Sequence, residues 1–106
     1  MTKVKFLDGK SGICGFEISG HSTLNCDDEE GKLLCSAISS AAYMAVNTVS
    51  EIVGDDFDEL EVKDGFMKVK LLMPSRETRV ILEGFKLHIT SLSEDYKNKI
   101  QILTEV

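Results

Sequence analysis

Two residue types in this chain are suited to attack on a carbonyl, the thiol of Cys35 and, upstream of it, the imidazole of His21. A thiol attacks as the thiolate, so it needs a lowered pKa or a base within hydrogen-bond reach. The apolar residues Leu34, Ile38, Ala41, Ala45, Val49 and Ile52 recur at three- and four-residue steps, which predicts a helix over residues 32–53 with one buried face. Cys35 then falls in the first turn. There the unpaired backbone N–H groups and the positive end of the helix dipole favour a negative sulfur. His21 ends a strand-like run and is the histidine nearer in sequence; His88 is the other. The same residues also support a plainer reading, since free cysteine usually packs as a small hydrophobe and a lone histidine is usually a surface or satisfied core residue.

The elements that must position this pair follow from periodicity. Alternation over residues 3–7 predicts a first strand, and residues 8–12 (Asp-Gly-Lys-Ser-Gly) predict a turn. A second strand over 13–19 places Cys14, Phe16 and Ile18 on one face, making Cys14 a core cysteine, and delivers His21 at its end. Gly15 in mid-strand predicts a bulge or a close approach of another backbone. The helix over 32–53 is rich in small residues (Ser36, Ala37, Ser39, Ser40, Ala41, Ala42, Ala45), so it can pack closely on the sheet or on a second copy of itself, and Gly54 is its natural stop. Strands over 60–63 and 67–71 flank Asp64-Gly65, a strong hairpin signal. Ser75 is positioned to cap a second helix carrying Val80, Ile81, Phe85, His88, Ile89, Leu92 and Tyr96 at helical spacing, with His88 on or beside the buried stripe. A last strand covers 100–106. The order ββαββαβ predicts a two-layer α+β domain, a mostly antiparallel sheet with two helices on one face.

Composition bounds the functions. At 106 residues the chain is expected to form one domain, residues 1–106, with a single modest core. Hydrophobic content of 42% and charged content of 28% are those of a globular domain. The net charge of −6 argues against direct nucleic-acid binding, which relies on Lys and Arg neutralising phosphates, and suits a basic partner. Part of that charge is Asp27-Asp28-Glu29-Glu30, a solvated, helix-capping loop that could also steer a basic protein. No apolar stretch is read as a membrane span and no signal-peptide pattern follows Met1, so a cytoplasmic protein without membrane association is expected. Three cysteines without framework spacing agree with a reducing compartment.

Cys26, between the two reactive candidates, raises two other readings. A metal site from His21, Cys26 and Cys35 lacks the paired spacing of structural zinc sites, and no metal or other cofactor is expected. A Cys26 to Cys35 disulfide would lock the nucleophile, transiently in a reducing cytosol.

The pattern Gly20-His21, a loop, then Gly31 four residues before Cys35, with Ala37 and Ser39 in a small-residue helix, resembles the ribosomal-processing cysteine protease family, Prp. The resemblance runs over nearly the whole chain in length and element order, and is specific from Gly20 to about Ser40. It implies a small dimeric cysteine endopeptidase that removes the N-terminal extension of a large-subunit ribosomal protein. It also implies His21 as general base, Cys35 as nucleophile, and Gly20, Gly31 and Ser39 as supporting residues. The chain departs from the family at Lys32, where many members carry an aspartate, so no acidic third catalytic residue is assigned. The rival reading is a non-catalytic ribosome-associated or assembly module that docks a basic protein through its acidic loop while Cys35 merely packs.

Overall fold

The computed structural model describes residues 1–21, the side chain of His21 excepted, and 29–105. Strands β1 (Thr2–Gly9) and β2 (Gly12–His21) form a hairpin, followed by helix α1 (Glu29–Asn47), which continues as a π-helical stretch, Thr48–Val53. The hairpin β3 (Glu59–Lys63) and β4 (Gly65–Lys70), helix α2 (Arg76–Asp95) and strand β5 (Ile100–Glu105) complete the order ββαββαβ. The five strands make one sheet, β3-β4-β2-β1-β5. All pairings are antiparallel except β1 with β5. Strands β4 and β5 are separated by β2 and β1, so the chain between them crosses the sheet as a helix.

One sheet face is apolar and both helices lie on it. Val4 and Phe6 of β1, Phe16 and Ile18 of β2, and Met67 and Val69 of β4 are buried there with Leu34, Ile38, Ala42 and Val49 from the α1 run and Leu82, Phe85 and Ile89 from α2. Phe85 packs against Phe16 with ring centroids 4.5 Å apart and meets Phe6 edge-on at 6.0 Å, the offset and T-shaped arrangements that aromatic quadrupoles favour. The opposite face alternates in charge across the strands, with Glu61 opposite Lys68, Lys68 opposite Glu17, and Glu17 opposite Lys5. Such cross-strand pairs let this face remain in water.

Four sequence expectations are corrected. Helix α1 begins at Glu29, ahead of Lys32, so Cys35 stands in its second turn. Ile52 is 80% exposed because the wider turn of the π-helix rotates it off the buried stripe. On α2 Phe85 and Ile89 are buried and Ile81, Leu92 and Tyr96 pack against the core as expected, but Val80 is exposed and the stripe takes in Thr78 and Leu82. The helical run Glu29–Val53 is also long and apolar enough, at mean hydropathy 1.3, to cross a bilayer by length and composition, contrary to the sequence reading. Here its apolar face is the one packed on the sheet.

Two local constraints hold the frame. A Cβ at Gly15 would overlap the Val69 carbonyl oxygen and lie 2.9 Å from the Lys70 Cα, so β4 lies hard against β2 where only glycine fits. At the other end, Asp55 Oδ2 accepts hydrogen bonds from the Ser75 amide (2.9 Å), the Ser75 hydroxyl (2.7 Å) and the Thr78 hydroxyl (2.6 Å). The Ser75 hydroxyl in turn accepts from the Thr78 amide as the α2 N-cap. Thr78 is fully buried, so Asp55 supplies the partner its hydroxyl needs. These bonds, that of Thr78 first, hold the Asp55 carboxyl below its usual range.

Gly15→Ala is expected to lose about 3 kcal/mol of stability in urea unfolding, from backbone overlap. Because the Asp55 pKa is depressed on folding, its contribution is present above the ordinary aspartate value near ~3.9 and is lost as pH falls through the folded-state value. Asp55→Ala should cost about 1–2 kcal/mol at neutral pH and flatten the acid limb of a pH-dependent unfolding curve.

Candidate active site

The histidine is presented by a distortion of β2. Pairing with β4 runs in register from Gly15 opposite Lys70 to Ser19 opposite Phe66, then slips so that His21 faces Gly65. Gly20 is the displaced residue, with φ +81°, and a Cβ there would lie 2.8 Å from the Met1 carbonyl oxygen. Only glycine takes this left-handed conformation beside another backbone without strain. The slip changes the backbone register at His21, whose side chain lies outside the described residues.

The cysteine is presented by α1. The π-helical stretch closes at Gly54, in the left-handed conformation, whose amide donates to the Val49 carbonyl at 2.8 Å. The chain then needs only residues 54–58 to reach β3, and the Asp58 amide bonds the Lys70 carbonyl at the far end of β4 from Gly65. A helical run from Glu29 to Val53 is about 37 Å long at ~1.5 Å per residue. It therefore extends back toward the end of the sheet where His21 pairs with Gly65. Leu34 is buried in the core, which holds the helix against the sheet where Cys35 stands half-buried, one turn before the half-buried Ser39.

The site's electrostatics differ from the sequence expectation. In the second turn Cys35 is beyond the first turn, over which the helix dipole acts most strongly, so the dipole supplies less of the thiolate's stabilisation than a first-turn position would. Glu29 and Glu30 occupy the first turn, and their carboxylates oppose a nearby thiolate. A base is correspondingly more important. Cys35 is disulfide-bonded in this structure, whereas Cys14 is a free, buried thiol. Burial, chiefly, pushes the Cys14 pKa up, which suits an unreactive core residue.

Among the other expected residues, Gly31 is half-buried and Lys32 exposed in the first turns of α1. Cys26, Asp27 and Asp28 lie outside the described residues, as does most of loop 22–34, so the metal reading, which needs Cys26 and the His21 side chain, lies there too. Among the described residues no group of three or more His, Cys, Asp or Glu could hold a metal ion. His88 is exposed on α2, away from the sheet, at a groove between the helices with Ala37, Ala41, Met44 and Phe85. The bulge at Gly20 was missed as such: the Gly-His step was visible, but a register slip belongs to the partner strand.

A two-layer α+β domain with a cysteine on its first helix and a histidine at the bulged end of a central strand is a scaffold for thiol chemistry. The family model for cysteine protease Prp matches residues 1–101, and the chain belongs to that family of peptidases. Its fold is similar to that of the Staphylococcus aureus ribosomal processing protease Prp in complex with a substrate peptide, at TM-score 0.88 and 14% identity, covering 99% of this chain and 100% of the other. The same S. aureus protease with a covalently linked product peptide gives 0.81 at 17% identity, with coverage of 99% and 100%. SMU.848 from Streptococcus mutans gives 0.82 at 22% identity, with coverage of 99% and 96%. Comparison with curated proteins found no match.

Gly20→Ala should lower kcat by more than its loss of stability accounts for, because the strained φ and the overlap with Met1 shift the backbone carrying His21. Cleavage kinetics measured beside urea unfolding of the same variant separate the two effects.

Proposed function

We propose that this peptidase removes the N-terminal extension of a large-subunit ribosomal protein, with Cys35 as nucleophile and His21 as general base. The observation that carries the reading is the match of residues 1–101 to a family of cysteine proteases, with a cysteine on α1 and a histidine at the bulged end of β2. The S. aureus relative, named a ribosomal processing protease and seen with a substrate peptide, supports the substrate class. Imidazole takes the Sγ proton, the thiolate adds to the scissile carbonyl, and the tetrahedral intermediate collapses with the imidazolium protonating the departing amine. Water, deprotonated by the same imidazole, then hydrolyses the thioester and returns the thiol. The oxyanion needs donors in place at that moment. In the second turn the Cys35 amide lies within the helix's own hydrogen-bonding run, so the donors are sought among neighbouring backbone N–H groups, and Gly31 and Ser39 act as supports around the sulfur.

The disulfide at Cys35 must be reduced before the first step, which fits a protein acting in the cytoplasm, where ribosomal proteins are made. An acidic enzyme also suits a basic substrate, with Glu29 and Glu30 at the mouth of α1. The protein acts as a homodimer in this reading. Support comes from the groove of about 750 Å³ between α1 and α2, where Ala37, Ala41 and Ala45 allow close approach of a second helix layer and Met44 is exposed.

The test is cleavage of a peptide spanning the extension junction of the same organism's ribosomal protein. Wild type with reductant should cut it, Cys35→Ala should not, and His21→Ala should be slower by about 10²–10⁴-fold. Omitting reductant should suppress both cleavage by the wild type and alkylation at Cys35. If all three proteins bind the peptide alike and none cuts it, the processing assignment fails and the binding-module reading replaces it.

A further inference from the structure

The helix layer stops short of one sheet edge. On β3, Leu60 pairs with Val69 and Val62 with Met67, so all four side chains share the face that the helices cover. Val69 and Met67 are each 1% exposed, whereas Leu60 and Val62 are 49% and 48% exposed. The core's own face therefore continues onto β3 as an open apolar shelf. Strand β3 is also the terminal strand of the sheet, and every one of its residues is exposed. Its outer edge of backbone groups is of the kind that accepts an added strand.

Charge selects what that strand would be. Asp56 and Asp58 precede β3 and Asp64 follows it, while on the strand Glu59 is paired with Lys68 at 2.9 Å and Glu61 with Lys63 at 3.0 Å. A second copy is a poor occupant. Antiparallel pairing of two β3 strands about their centres sets Glu61 against Glu61 and Asp58 against Asp64, like charges directly opposed, and setting Glu59 against Lys63 offsets them only in part. A basic extended segment meets the opposite situation. Its apolar residues fall on Leu60 and Val62, and its basic residues, alternating with them, fall on the outer face near Glu59 and Glu61. Position adds to this, because β3 ends at Lys63, one hairpin from Gly65, the residue paired with His21. A segment laid on β3 thus leads toward the end of the sheet that carries the histidine.

We propose that the open edge of β3 is an exosite that takes an extended, basic segment of the polypeptide substrate by strand addition, with alternate apolar side chains seated on Leu60 and Val62. The proposal rests on the processing reading for the identity of the substrate but not for the binding itself.

The probe is a fluorescent acetylated octapeptide of alternating lysine and valine, titrated into the full chain with Cys35 reduced. Binding should weaken at least tenfold in Leu60→Lys/Val62→Lys, weaken with added salt, and be unaffected by Val80→Lys on the distant face of α2. On wild type, N-methylating one alternate set of peptide amides should abolish binding and methylating the other set should spare it. The exosite is overturned if the double variant binds alike, if an alternating glutamate and valine peptide binds as tightly, if both methylated sets behave the same, or if the double variant changes the oligomeric state and not peptide binding. Wild type that binds the octapeptide but cuts no ribosomal-protein precursor overturns the processing reading alone. Wild type that cuts the precursor, with no rise in KM when the octapeptide is added, overturns the exosite alone.

Discussion

The structure depends on one constraint, that its sheet has a single apolar face. Alternating strands bury Phe6, Phe16, Ile18, Met67 and Val69 on one side and leave lysines and glutamates on the other. Both helices must therefore pack on the same side, and Phe85 wedged against Phe16 and Phe6 sets where α2 crosses. The helix layer they form buries Met67 and Val69 of β4 and leaves Leu60 and Val62 of β3 about half-exposed. The site, the groove between the helices and the open edge all follow from that arrangement. Burial of apolar area drives it, at roughly 25 cal/mol per Å² removed from water.

The chemistry at the site is a balance of small terms. A cysteine in the second turn gains little from the helix dipole, and carboxylates in the first turn work against its ionisation. A neighbouring base is then the principal route to a thiolate at neutral pH. The bulge at Gly20 breaks the register of β2 just before His21, at the cost of a conformation only glycine holds comfortably. The contrast between Cys14 and Cys35 makes the same point, since one thiol is buried with its pKa raised and the other stands half-exposed on a helix surface and is oxidised.

Charge is used in two ways along the chain. On the sheet's outer face it is interleaved with the opposite sign and serves solvation, as in the pair of Glu59 with Lys68, where each holds the other ionised. At Asp55 it is structural, because one carboxylate oxygen ties the chain before β3 to the start of α2. The surplus acid around β3 belongs to neither use, and that surplus, beside an uncovered apolar shelf, is what singles out the edge.

Much of the fold was legible in the sequence because period-two and helical patterns report which faces are buried, and those faces fix the element order. The Asp64-Gly65 turn, the Ser75 cap and the Gly54 stop are local signals of the same kind. The reactive residue types and the Gly-His step were visible as well, and with them the family. Tertiary structure decided the rest. The start of α1, and so the turn on which Cys35 sits, depends on how far the helix extends beyond its apolar stripe. The exposure of Ile52 depends on a π-helical turn, and the slip at Gly20 on a partner strand distant in sequence. The alternation of Leu60 and Val62 with Glu61 and Lys63 predicts a strand but not whether its apolar face is covered. Only the width of the helix layer leaves them open, and that width is set by packing between elements, which no local pattern encodes.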